Sequence, residues 1–209
     1  MESVIKTLSY EECQKDLAQG VNCLDYFRKL ILNDLPESIK HNVWIAGGAV
    51  KDWFLNGKVE KDLDLFSTDR KSMALLARHL RAEYQFKAFL ITKNAIKGFC
   101  FIKGVRYDLD IVKKEFQNQT DCVDKFDFTV TCFAASAEKF TYHTSAPFDL
   151  LRNRIVIHSL PHPVDSLKRL QKYIKKGFTA CNGTILTIGK AIAQQNPEDE
   201  SVFEFYKFD

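Results

Sequence analysis

Ile45-Ala46-Gly47-Gly48-Ala49-Val50-Lys51-Asp52, followed after a short interval by Asp62-Leu63-Asp64-Leu65, is the stretch whose reading decides the fold. Val43-Trp44-Ile45-Ala46 reads as a short buried strand that ends at the paired glycines, with a short helix over 49–55. Asn56-Gly57 is a turn signal, and Leu63, Leu65 and Phe66 place the next strand around the two aspartates. Side chains two apart on a strand face the same way, so Asp62 and Asp64 project together while Leu63 and Leu65 face a core. Neighbouring carboxylates repel each other and call for a neutralising cation. Magnesium, a hard ion that takes oxygen ligands and bound phosphates, is the natural resolution. Gly47 and Gly48 sit between strand and helix, where backbone N–H groups can approach a triphosphate at an anion-favouring helix N-terminus.

Working outward, Ser9-Tyr10-Glu11-Glu12 is a capping-box pattern that should open a helix turning Leu17, Val21, Leu24 and Phe27 inward, with a break at Pro36. Downstream, Asp69 can cap a helix carrying Leu75, Leu76 and Leu80 up to Tyr84. Strands are expected over 86–92, 96–102 and 105–112, the first two joined by a Lys93-Asn94 turn. Helix, strand, helix, strand, helix and then a strand cluster make a mixed α/β (α+β) domain. A second region begins near Pro161 and Pro163. There Leu167, Leu170, Tyr173 and Ile174 set a helical pattern that Gly177 stops, and Asn182 can cap a last helix ended by Pro197. The acidic, aromatic tail from Glu198 is expected to pack back on the domain, with a partner surface as the alternative. The division is therefore a main domain over 1–160 and a short helical region with tail over 161–209.

The 45% hydrophobic content suits one compact domain, and a net charge of +3 permits a nucleic-acid partner without demanding one. No apolar run is long enough to span a bilayer, and the start lacks the apolar stretch of a signal peptide. The six cysteines show no C-x-x-C pair or zinc spacing, which points to reduced thiols and a cytoplasmic protein.

A second carboxylate pair, Asp108 and Asp110, lies on one face of an expected strand. One of them can supply a third metal ligand, and three carboxylates holding two metal ions activate a hydroxyl and stabilise a leaving pyrophosphate. Alone, a Gly-Gly pair is usually a tight turn and a D-x-D on a strand is usually surface decoration. Together, at this separation and in this strand–turn–helix–strand setting, they point to phosphoryl-transfer chemistry. His143, His158 and His162 are irregularly spaced and read as ordinary core or surface residues.

The run Gly47-Gly48-Ala49-Val50-Lys51-Asp52 … Asp62-Leu63-Asp64 resembles the signature of the DNA polymerase β-like nucleotidyltransferase superfamily. It is most similar to the head domain of class II CCA-adding enzymes and bacterial poly(A) polymerases, whose pattern is GG-x-V-R-D … D-x-D. Further matches follow in order. Asp108-Leu109-Asp110-Ile111-Val112-Lys113 resembles the family's acidic strand ending in a basic residue, and Asp127-Phe128-Thr129-Val130-Thr131 its R-R-D-F-T-I-N segment. Phe148-Asp149-Leu150 with Asn153-Arg154-Ile155 resembles D-P-F-G-G-x-x-D-L … N-x-I, and Arg169, Lys172 and Tyr173 resemble the R-x-x-R-F helix at the head–neck junction.

The resemblance implies a mixed sheet flanked by helices, two Mg²⁺ ions, and a nucleoside triphosphate such as ATP as substrate. It implies that Gly47 and Gly48 hold the triphosphate and that Asp62 and Asp64 bind metal. The third acid stays open between Asp108, better spaced from Lys113, and Asp110, which fits an apolar–acid–apolar strand; Asp110 is taken as the ligand. Lys51 or Lys113 would contact phosphate where the family prefers Arg, and Arg169 and Lys172 would line the nucleotide site. Lys125 and Phe126 stand where the family has two arginines, Thr131 stands for its Asn, and the base-reading E-D-x-x-R motif has no match. The family's neck, body and tail domains would continue past the end of this chain. The acceptor expected is an RNA 3′ end such as that of tRNA. A small molecule of the aminoglycoside type, a protein hydroxyl, or a silent nucleotide- or RNA-binding module are the alternatives. A basic groove would favour RNA and an acidic pocket a drug. Oligomeric state is not legible in the sequence.

Overall fold

The structure, a computed structural model, describes residues 4–60 and 62–195. The expected stop at Pro197 and the tail from Glu198 lie outside them. Among the described residues ten strands run β1 Ile5–Ser9, β2 Val43–Ala46, β3 Asp62–Ser67, β4 Lys87–Ile91, β5 Ala95–Ile102, β6 Val105–Glu115, β7 Phe133–Ser136, β8 Lys139–His143, β9 Arg154–Ile155 and β10 Thr179–Ala180. Among the described residues the helices are α1 Tyr10–Asp16, α2 Ala18–Leu30, α3 Glu37–Lys40, α4 Gly48–Asn56, α5 Arg70–Tyr84, α6 Gln119–Asp124, α7 Ala146–Leu151, α8 Pro163–Lys175 and α9 Asn182–Ala193.

Eight strands form one mixed sheet in the order β1-β8-β7-β2-β3-β6-β5-β4. Within it β3 and β6 run parallel and every other neighbouring pair is antiparallel. The mixed α/β class expected from the sequence is the one found. The two faces differ. On one, Val43, Ile45, Leu63, Leu65, Leu109 and Ile111 pack with Leu24 and Phe27 of α2, Val50 and Phe54 of α4, and Leu76 and Leu80 of α5. On the other, Trp44, Ala46, Phe66 and Ala134 pack with Cys122 and Val123 of α6. That cover reaches Phe66 of β3 and Val112 of β6 but stops short of the other end of this strand pair, where Asp62, Asp64, Asp108 and Asp110 occupy the continuing face and an uncompensated carboxylate resists burial.

Local signals account for most boundaries. The Ser9 capping box forms on both sides, Ser9 Oγ accepting from Glu12 N–H and Glu12 accepting from Ser9 N–H. Asp69 accepts from Ser72 N–H at 2.8 Å and starts α5. Lys103 and Gly104, both with positive φ, make the two-residue hairpin that sets β5 against β6 with Ile102 opposite Val105.

Other expectations are corrected. The single N-terminal helix is two, broken at Leu17 (φ −153°, ψ 75°), and Gly20 just beyond lies so close to Phe140 that a Cβ there would come within 3.3 Å of its ring. The last helix starts from Cys181 with no side-chain cap, so Asn182 does not play that part. β1 carried no recognisable alternation because Ile5 and Leu8 are buried on opposite faces of the sheet. β7 is buried at all four positions, and a strand covered on both faces reads as an apolar run rather than an alternation.

Candidate active site

The acidic row follows from register. The parallel pairing of β3 and β6 sets Asp62 beside Asp108 and Asp64 beside Asp110. Neighbouring strands lie about 4.8 Å apart, so four carboxylates share one small patch of one face. The antiparallel pairing of β6 with β5 then sets Lys97 beside Asp110 and Phe99 beside Asp108. Lys97 Nζ lies 2.5 Å from Asp110 Oδ2, and Arg106 Nη2 lies 3.0 Å from Asp108 Oδ1.

Asp62 is exposed and Asp64 is half-buried. Burial first, and then the charge of Asp110, pushes the Asp64 carboxyl up to about 6. Of its two acidic neighbours, Asp110 across the strands acts on it more strongly than Asp62 along its own strand. A proton therefore stays on Asp64 up to about pH 6, first because burial penalises its charge and next because Asp110 adds a like one, against the opposing pull of Lys97.

The sign of the pH dependence follows. Folded Asp64 holds its proton to a higher pH than the unfolded chain with its value of 3.8, so its contribution to stability is present below 3.8 and lost as pH rises through about 6. With divalent cations chelated, Asp64→Asn should melt roughly 3–6 °C above wild type near pH 7.5 and level with it near pH 4. Differential scanning calorimetry reads this directly, and equal melting at both pH values would contradict it.

Where β2 ends, the chain turns through Gly47, whose φ of +76° and ψ of −127° lie outside the range of residues with a Cβ. Its N–H donates to Phe133 O at 2.9 Å and its carbonyl accepts from Lys51 N–H at 3.0 Å, which fixes the start of α4. No side chain caps that helix, and a Cβ at Gly48 would meet nothing within 4 Å. The first turn of α4 thus presents uncapped N–H groups beside open space, an arrangement suited to an anion.

The expected basic residues are distributed unevenly. Lys51 is buried, ion-paired with Asp52 and beneath the ring of Tyr173 at 5.8 Å, so it faces inward instead of toward a phosphate. Lys113 donates to Thr92 O at 2.5 Å, three residues along β6 from Asp110 and so about 10 Å away. Arg169 of α8 reaches buried Asp127 at 2.7 Å, which holds α8 over this end of the sheet, and Lys172 is exposed on the same helix. Sequence reasoning did not single out Lys97 or Arg106. The signal for both was the Lys103-Gly104 turn, since counting back equally on its two sides pairs residue 97 with 110 and sets 106 opposite 101.

The donor set is all carboxylate oxygen, which fits a hard divalent cation. Lys97 and Arg106 already meet part of the demand for positive charge, and among the described residues no three or more acidic, histidine or cysteine side chains converge in a metal-ligating group. A polar pocket of about 380 Å³ lies elsewhere, at the Trp44 end of β2, lined by Thr7, Asn42, Thr68, Gln119 and Lys139.

Residues 19–152 match the family model described as Gad2, Gabija anti-defense 2 family protein. No curated protein matches the chain. Solved structures do. The Thermotoga maritima CCA-adding enzyme complexed with tRNA superposes with a TM-score of 0.61 at 18% identity, covering 92% of this chain and 47% of that one. A CCA-adding enzyme with ATP gives 0.62 at 18% identity over 92% and 47%. A tRNA-processing enzyme in an apo form gives 0.59 at 15% over 81% and 47%. At such identities the likeness is one of fold, a nucleotidyltransferase-like fold, and the chain spans about half the length of these structures. No helix among the described residues is long and apolar enough to cross a membrane.

Proposed function

This chain belongs to the Gabija anti-defense 2 family, and we propose that within it the chain is a magnesium-dependent nucleotidyltransferase that moves a nucleoside monophosphate from a triphosphate to a hydroxyl acceptor. One observation carries the reading: Asp62 and Asp64 lie in register with Asp108 and Asp110 on an open sheet face, in the same fold unit as the uncapped N-terminus of α4 at Gly47-Gly48.

Asp62, Asp64 and Asp110 would hold the two ions, which when bound polarise the acceptor hydroxyl and neutralise charge on the leaving group. The N–H groups of the first turn of α4 bind the polyphosphate, and Gly48 leaves room for its close approach. Lys172 contributes positive charge at the nucleotide side. Arg169 keeps α8 in place through Asp127, and Lys113 acts at the margin. In the transfer the acceptor oxygen bonds to the α-phosphorus, the bond from that phosphorus to the bridging oxygen of the β-phosphate breaks, and pyrophosphate leaves. The hydroxyl proton passes to a neighbouring carboxylate or to water. The reading places this chemistry in residues 1–160, with 161–209 as a short neck-like appendage.

The acceptor favoured is an RNA 3′ end, because solved neighbours of this fold are complexed with tRNA, ATP and CTP. A second acceptor, a protein hydroxyl, is favoured by the family's name, since an anti-defense role needs a target in the defense. The test is incubation with Mg²⁺, each of the four labelled nucleoside triphosphates and total RNA, beside an Asp62→Ala/Asp64→Ala control. Label on RNA that disappears in the control supports the RNA reading, and label on protein supports the second. Transfer from no triphosphate to either would overturn both.

A further inference from the structure

Lys97-Gly98-Phe99-Cys100-Phe101-Ile102 on β5 places two aromatic rings on the same face as the aspartates. Phe99 is half-buried and Phe101 is 57% exposed, and their ring centroids lie 6.2 Å apart. Register sets this arrangement, and Gly98 lies on the opposite, tightly packed face with Cys100 and Ile102. A Cβ on Gly98 would come within 2.5 Å of the Phe86 ring and of Lys87 O, so the back of the strand is closed.

Cations surround the pair. Lys87 of β4 stands opposite Phe99, Arg106 lies over the Phe99 ring at 4.5 Å, and Lys97 follows on the same strand face. Phe101 leaves apolar surface open to water beside the half-buried Phe99, and Phe89 and Leu90 on β4 are exposed as well. The order basic–glycine–aromatic–small–aromatic–aliphatic is the chemistry of the RNA-binding strand in four-stranded recognition sheets, where the rings stack on splayed bases. The surrounding fold here is different; the shared feature is a strand with two forward rings and flanking positive charge.

The geometry points to a stacking platform for single-stranded nucleic acid, formed by Phe99 and Phe101 with Lys87, Lys97 and Arg106, running onto the acidic row. Rings and cations together suit a chain of bases and phosphates. Phe99 is one strand spacing from Asp108 and two from Asp62, about 10 Å in all, so a strand stacked here brings its end to the carboxylates. That delivery rests on the transferase reading; the binding itself does not.

The test is fluorescence anisotropy with end-labelled ten-nucleotide RNA and DNA, each single-stranded and as a duplex. Single strands should bind better than duplex, with Phe101→Ala weakening binding about tenfold and Phe99→Ala/Phe101→Ala about a hundredfold. Phe101→Tyr should bind like wild type, which separates loss of stacking from loss of folding. Preference between RNA and DNA identifies the sugar recognised. No binding by wild type, or equal binding by Phe101→Ala, overturns the platform. Glu138→Gln, which breaks only an exposed pair with His41, should bind the oligonucleotide normally. Binding by a wild type that transfers to neither RNA nor protein would sink the transferase reading and leave the platform standing, whereas transfer to another acceptor with no oligonucleotide bound would do the reverse.

Discussion

Asp64→Asn should reduce nucleotidyl transfer at least about a thousandfold, a loss of roughly 4 kcal/mol of transition-state stabilisation. The substitution keeps size and hydrogen-bonding capacity and removes one charge. Its effect is large because of position: Asp64 stands at the centre of the row, with Asp62 two residues away on its own strand and Asp110 beside it on the next. A carboxylate raised to about 6 by burial and by Asp110 is costly to hold ionised at neutral pH, and a bound cation offsets that cost, so Asp64 gains most from bound metal. The same reasoning ranks the others. Asp110→Asn should be nearly as damaging, since Asp110 is the acid that acts most strongly on Asp64. Asp108→Asn should be milder, because Asp108 sits beside exposed Asp62 and is held by Arg106. Glu138→Gln, which removes an exposed pair with His41, should leave the rate within about twofold. Initial rates with a labelled triphosphate measure all four. An Asp64→Asn protein that keeps a tenth of the wild-type rate would remove Asp64 from the chemistry.

The row was legible in the sequence because it depends on period two alone. Asp62 with Asp64, and Asp108 with Asp110, share faces in any extended strand, and the intervening Leu63 and Leu109 told which face is buried. Their mutual registration was not legible, since β3 and β6 run parallel and are separated by α5 and a hairpin, so no local turn fixes the pairing. Lys51 shows the opposite failure. Its place after Gly47-Gly48 suggested a phosphate contact, yet one helical turn carries it to the buried side of α4, where Asp52 and the Tyr173 ring receive it. Tyr173 comes from α8, more than a hundred residues on, and no local pattern announces it. The strands of the main sheet that escaped notice, β1, β7 and β8, lie at the half that α1 and α2 pack on one face and α6 on the other. There alternation disappears, and with it the sequence signal.

A second large effect is expected at a residue with no part in the chemistry: Asp149→Ala should cost about 3–4 kcal/mol of stability. Asp149 is fully buried in α7. One carboxylate oxygen accepts from Thr129 Oγ1 at 2.7 Å, and the other accepts from Arg154 Nε at 3.0 Å and Nη2 at 2.5 Å. Truncation leaves the Thr129 hydroxyl buried without its acceptor, opens a void, and frees a guanidinium that, being about half exposed, can turn to water. The last point keeps the expected loss below that of a wholly interior pair. Asp149→Asn should fall between, since the amide oxygen can still accept one of the bonds. For contrast, Arg70→Ala, which breaks a pair exposed at both ends, should change stability by less than about 0.5 kcal/mol. Urea unfolding would separate these outcomes, and a loss under about 1 kcal/mol for Asp149→Ala would show that the carboxylate is not the tie it resembles. The tie has a consequence for the site. Arg154 lies on β9, which pairs with β10 just before α9, while Thr129 is two residues from Asp127, the partner of Arg169 on α8. Loosening Asp149 should therefore release the C-terminal helices from the sheet before the sheet itself unfolds. Hydrogen exchange should then rise first in α8 and α9 and only later in β2, β3 and β6.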